Sequence, residues 1–168
     1  MKVKAIVYTS NTGYTKEYAE LLAKRSGLPM YSLKEANKAL NKGDEIIYLG
    51  WLMASMIKGY SKAAKRYTIA AVCGVCLGST GSQLKAVRKS NSLPSTLATF
   101  TLQGGYDKTR LHGMYKLMMG MVEKSLIKQI CEKDVQTEED KVILNMLQNG
   151  GSAVSEKNLK DIYSLMEL

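Results

Sequence analysis

Between an apolar run and a helical pattern, the stretch VYTSNTGYTKEYAE (Val7 to Glu20) carries a dense set of small and polar residues. Thr9, Ser10, Asn11, Thr12 and Thr15 bring short hydrogen-bonding side chains, Gly13 lets the backbone approach a ligand closely, and Tyr14 completes the loop. Backbone N–H groups converging in such a turn, helped by hydroxyls and by the positive end of the following helix, hold a phosphate without Lys or Arg. Two other phosphate loops are excluded, because neither G-x-x-x-x-G-K-[ST] nor G-x-G-x-x-G is present. Ordinary helix caps also use Ser, Thr and Asn. Their density directly after the first strand favours a phosphate cradle.

Other reactive residues are scattered. Cys73 and Cys76 have C-x-x-C spacing, but they fall at the end of a predicted strand. Three residue steps there place them about 10 Å apart on opposite faces, beyond disulfide reach. Zinc needs four ligands, and Cys131 and the only histidine, His112, lie far off in sequence. Histidine can move protons near neutral pH, yet an exposed helix-start residue is the plainer reading of His112 in TRLHGMYK. A single histidine and the absence of a G-x-S-x-G elbow argue against hydrolase chemistry. No side chain is expected to act as a catalytic acid, base or nucleophile.

The elements that must position the opening loop follow from periodicity. KVKAIVYT reads as a strand, and TKEYAELLAKRSG as a helix ending at Gly27. PMYSL is a short second strand, KEANKAL a weak helical connector, and EIIYLG a third strand apolar on both faces. GYSKAAKRY predicts a helix, TIAAVCGVC a fourth strand, GSTGSQLKAVRKSNS a loop entering a helix, and STLATFTLQG a fifth strand. Everything beyond Gly105 reads helical, with Ser155 as the cap of a last covering helix. Strands alternating with helices imply a parallel α/β sheet covered on both sides, and ligands of such sheets sit beyond the carboxyl ends of the strands, where the opening loop lies.

At 168 residues the chain is expected to form a single domain, 1–168, with its own core. No apolar run approaches the roughly 18 residues of a membrane span, and the N-terminal apolar run is too short for a signal peptide. Three cysteines, an odd number, suit a reducing compartment; the expectation is a cytoplasmic protein. Charge is uneven: residues 1–50 carry 8 Lys/Arg and 5 Asp/Glu, 51–122 carry 10 and 1, and 123–168 carry 6 and 9, giving +3, +9 and −3. The surface built from the middle segment should attract anions.

TSNTGYT resembles the flavin mononucleotide (FMN) phosphate loop of flavodoxins, [TS]-x-[TS]-x-[TN]-G-x-[TS] or close to it, through Thr9, Asn11, Thr12, Gly13 and Thr15. TFTLQGGYDKTRLHGMYKLMMGMVEK is similar to the segment after the fifth strand in flavodoxin-domain proteins grouped with menaquinone-dependent protoporphyrinogen dehydrogenase, where a G-G pair leads into a basic, Met-rich helix. The resemblance covers nearly the whole chain. It implies a flavodoxin-like three-layer sandwich, five parallel strands in the order 2-1-3-4-5, and noncovalent FMN. The ring is then expected between Gly50–Gly59, with Trp51, Leu52, Met53 and Ala54, and Cys76–Gln83, with Gly78, Ser79, Thr80 and Gly81. Trp51 would stack on it or else pack in the core. The glycine-rich loop would turn N–H groups to its polar edge or else form a plain turn. Met53, Ser55 and Met56 depart from the smaller or aromatic residues usual there.

Three functions stay open under this resemblance. One is an electron carrier serving redox partner proteins. Another is an oxidoreductase acting on an anionic or lipophilic substrate such as a porphyrin or a quinone. The third is a flavodoxin-shaped binding module without cofactor. Carriers of this kind are generally acidic, and the basic middle segment suits an anionic partner better. Met114, Leu117, Met118, Met121, Val122 and Ile130 form an apolar stripe, either core or a peripheral membrane contact. Nucleic acid is not expected, since the aromatics are not interleaved with the basic residues.

Overall fold

A computed structural model describes residues 2–167. Five parallel strands form its centre: β1 (Ala5–Thr9), β2 (Met30–Ser32), β3 (Glu45–Met53), β5 (Thr68–Cys76) and β6 (Ala98–Gln103), in the order β2-β1-β3-β5-β6. Counting parallel strands only, this is the expected 2-1-3-4-5, and the architecture is a flavodoxin-like α/β three-layer sandwich. The central strands read as unbroken apolar runs because both faces are covered. Ile6, Ile47, Leu49, Ala71 and Cys73 point to one layer, and Val7, Ile46, Tyr48 and Val72 to the other.

On the first layer, helix α1 (Tyr14–Ser26) supplies Tyr18 and Leu22, and helix α7 (Lys160–Met166) with the turn before it supplies Ile162 and Leu159. The Tyr18 hydroxyl donates to the Gln103 carbonyl and accepts from Asn158 Nδ2 at 2.7 Å, tying α1 to the end of β6 and to the chain before α7. Ser155 begins the turn that leads into α7, as expected, but its side chain makes no capping bond. On the second layer lie α2 (Leu33–Ala39), α3 (Tyr60–Ala64) and α4 (Leu84–Ser90), contributing Ala36, Ala63 and Val87. A full capping box between Ser32 and Glu35 starts α2.

Two segments depart from the sequence reading. The third strand continues past Gly50 to Met53 and turns back as β4 (Met56–Ile57), with Leu52 facing Ile57 and Met53 facing Met56. Ala54 and Ser55 form the tight turn with φ of 47° and 64°, the positive values of a hairpin turn of primed type. The expected ring-binding loop is therefore a hairpin. Beyond Gly105 the chain is not wholly helical: β7 (Gly105–Tyr106) pairs antiparallel with β8 (Gly151–Ser152). This clasp closes an excursion, 107–150, that holds α5 (Gly113–Cys131) and α6 (Glu138–Asn149) around a small cluster of Tyr106, Leu111, Met146 and Leu147.

Candidate functional site

Strand β1 hands the chain to α1 through Ser10–Gly13, and hydrogen bonds within the loop fix its shape. The Gly13 N–H donates to Ser10 Oγ at 3.1 Å. Thr9 Oγ1 lies 2.7 Å from the Tyr48 hydroxyl, which donates to the Lys58 carbonyl at 2.8 Å. Burial pushes the Tyr48 phenol up to about 12, so it stays a neutral donor and the Thr9 hydroxyl donates to it. Thr9 and Ser10 thus serve the scaffold. They face a neighbouring groove with Lys34 and Lys62 rather than the main cleft.

Asn11, Thr12, Tyr14 and Thr15 line that main cleft. Gly13 sits at the cap position of α1 with φ 100° and offers no side chain, so the first-turn amides of this helix have no side-chain cap. Among the described residues, the side-chain hydroxyls of Thr12 and Thr15 and the amide of Asn11 make no hydrogen bond, although Thr15 is only 2% exposed. Unpaired polar groups at an uncapped helix start leave donors free for an anion, unlike an ordinary cap, whose side chain satisfies the first-turn amides itself.

The Arg110 guanidinium lies beside the loop. It donates to the Thr12 carbonyl and to Glu17 Oε1, each at 3.2 Å, and stacks 5.0 Å from the centre of the Tyr14 ring. Glu17 holds it firmly charged. Nothing in TKEYAE or YDKTR announces this contact, which only the return of the chain after β6 creates.

Opposite the loop, the cleft is walled by Trp51 and Leu52 from β3, by Val75, Cys76 and Leu77 at the end of β5, and by Gly104 and Gly105 after β6. Trp51 is half-buried, meets Tyr115 of α5 edge-on at 5.3 Å, and carries Lys58 Nζ 5.6 Å from its ring centre. The bareness of Gly105 is required, since a Cβ there would lie 2.5 Å from both the Gly151 carbonyl and the Tyr14 ring. Leu111 and Met119 close the cleft from the excursion.

The hydrophobic walls and the polar loop meet in one place, beyond the carboxyl ends of the strands. Comparison with protein-family models, curated proteins and solved structures finds no match. Function is therefore read from the side chains themselves.

Of the residues expected to face a ring, Trp51 and Leu52 line the cleft, whereas Met53 and Ala54 belong to the hairpin and do not. Gly78, Ser79, Thr80 and Gly81 are also absent from its lining. The Ser79 N–H donates to Glu139 Oε1 at 2.9 Å, Thr80 Oγ1 accepts from the Gln103 N–H at 3.0 Å, and the Gly81 N–H donates to the Thr101 carbonyl at 2.9 Å. That loop is spent on joining β5 to α6 and β6.

The cysteines behave as thiols. Burial drives the Cys73 thiol far above its ordinary range and pushes Cys76 up to about 11. No cluster of His, Cys, Asp and Glu that could hold a metal occurs among the described residues.

The free volume of the cleft is about 110 Å³, below the ~300–1,000 Å³ of pockets that enclose drug-sized ligands. Its polar end presents the unpaired side chains of Asn11, Thr12 and Thr15. Its apolar end is walled by Trp51, Leu52, Leu111 and Met119. Met119 is the wall that can yield there, being unbranched and free to turn about three bonds.

Proposed function

We propose that the protein binds FMN noncovalently in this cleft and takes part in electron transfer or oxidoreduction. The supporting observation is the set of unpaired side chains, Asn11, Thr12 and Thr15, turned into the cleft at the uncapped start of α1. They would hold the phosphate together with the first-turn amides. Trp51 and Leu52 would flank the ring, with Met119 turned aside, and Gly104 and Gly105 keep the backbone bare behind it. Bound there, the flavin would supply one- and two-electron chemistry. Cys76, protonated at neutral pH by its burial, offers no thiolate to compete.

The electron partner is an anionic or lipophilic one, a porphyrin or quinone in the oxidoreductase case or an acidic redox protein in the carrier case. The net +9 of residues 51–122 supports this preference. The narrowness of the cleft supports a second reading, in which the scaffold persists as a cofactor-free binding module.

Titration of the purified protein with FMN, followed through flavin absorption and Trp51 fluorescence, separates the two. Stoichiometric binding with quenched Trp51 is expected. Replacing both Thr12 and Thr15 with Val should weaken FMN by about a hundredfold or more, since each removes a hydrogen bond to a charged group worth roughly 1.5 kcal/mol or more. Riboflavin, which lacks the phosphate, should lose nothing. Equal losses for the two ligands would remove the phosphate assignment, and absence of binding by the unaltered protein would leave the cofactor-free module.

A further inference from the structure

Helix α5 is apolar on two sides, and only one of them is covered. Met119, Leu126 and Ile127 turn inward to the cluster around Tyr106 and Leu111, and Ile130 is buried near the end of the helix. Glu123 turns inward as well, where its carboxylate accepts from the Tyr106 hydroxyl at 2.9 Å and from Lys108 Nζ at 2.6 Å. The inner face is thus fully engaged. On the outer face Met114, Leu117 and Met121 are 81%, 74% and 69% exposed, with Val122 beside them at 38%. Their spacing places them in one stripe along the first half of the helix, where a globular protein normally has charged residues. Beyond Val122 the outer positions turn polar, at Ser125, Lys128 and Gln129.

We propose that this stripe docks the protein on an anionic lipid surface, with α5 lying in the plane of the interface. Charge selects the occupant. From Lys108 to Val122 no acidic residue occurs. Lys58, Lys116 and Lys124 form no ion pair among the described residues. An apolar stripe with basic neighbours matches a membrane whose headgroups are negative. A second copy of the chain would bring like charges together on the same patch. A small lipophilic ligand would find a convex helix face, not a cleft. Methionine side chains adapt to a fluid surface, and α5 cannot itself cross the membrane, since no described helix is long and apolar enough. This docking is independent of whether the cleft holds a flavin.

Flotation of the full-length protein with vesicles tests it, using phosphatidylcholine alone and phosphatidylcholine mixed with phosphatidylglycerol, at low and high salt. The protein should float with the anionic vesicles, weakly or not at all with neutral ones, and less as salt rises. Changing Met114, Leu117 and Met121 together to Gln should lower vesicle affinity by about tenfold or more without changing the melting temperature, because these side chains are exposed. Lys116→Glu with Lys124→Glu should abolish the preference for anionic vesicles. The proposal fails if the unaltered protein ignores anionic vesicles, or if the triple variant floats as well as the parent. It also fails if the stripe instead supports a dimer in solution that the triple variant dissolves.

Discussion

Gly13 shows how one position can serve both fold and site. Its φ of 100° lies where L side chains are strained, and a Cβ there would stand 3.3 Å from the Arg110 guanidinium. The residue was legible as the pivot of TSNTGYT because glycine has this freedom, whereas Arg110 was not, since its neighbourhood is made by packing. Cys76 is legible by spacing alone, as half of a C-x-x-C that strand geometry keeps apart. Its place in the cleft wall could not be read from CGVC. The three thiols now separate by environment: Cys73 is buried in the core, Cys76 is pushed up to about 11 by burial, and Cys131 is exposed near the end of α5. At pH 8 the Cys76 thiol therefore stays protonated. Alkylation followed by mass spectrometry should label Cys131 first, with Cys73 and Cys76 reacting only after denaturation. Prompt labelling of Cys76 in the folded protein would show that the cleft opens far more than this packing allows.

Among the elements, the five parallel strands were readable because a strand buried on both faces is an unbroken apolar run. The β3–β4 hairpin was not, because Ala54-Ser55 lacks the Asn-Gly signature of its turn. Strands of two residues, such as Gly105–Tyr106, carry no periodicity at all. The start of α6 carries a signal of its own, the Thr-x-x-Asp spacing of TEED before an apolar run, and it folds as a capping box: Thr137 Oγ1 accepts from the Asp140 N–H at 3.1 Å, and the Asp140 carboxylate accepts from the Thr137 N–H at 2.9 Å. A hydrogen bond from Lys133, at 2.6 Å, joins those from Thr137 in holding Asp140 down at about 2 instead of 3.8. A carboxylate depressed in the folded state adds stability above its unfolded value of 3.8, and that stability is lost as pH falls toward 2. Asp140→Asn should therefore lower the melting temperature at pH 7, with the difference from the parent shrinking below pH 4 and still falling as pH passes through 2. Thr137→Ala, which removes the hydroxyl partner, should cost ~1 kcal/mol at neutral pH. A melting difference for Asp140→Asn that is flat from pH 7 to pH 2 would show that the charge plays no part.

At the scale of the whole molecule, the chain divides into a sheet body and an excursion with unequal cores. The cluster on one side of the sheet holds fourteen buried side chains among the described residues, including Ile6, Ile47, Leu49 and Cys73, and spans strands from Ile6 to Leu102 and helices up to Tyr163. The excursion rests on four, Tyr106, Leu111, Met146 and Leu147, closed by a clasp of two residues on each strand. Local opening is governed by how much apolar contact must be broken, so α5 and α6 should open well before the sheet does. This ordering also bears on the cleft, since Leu111 and Met119 are carried by the part that opens most easily, and a ligand too wide for the closed cleft would have to displace them. Native-state hydrogen exchange should find the amides of β1, β3 and β5 protected up to the global unfolding free energy, and those of α5 and α6 exchanging at least tenfold faster. Addition of FMN should raise protection across Leu111–Met119 more than in α6 if the ligand is gripped between loop and excursion. Uniform protection over sheet and excursion alike would mean that the clasp makes them one cooperative unit, and entry to the cleft would then have to come past the Trp51 side instead.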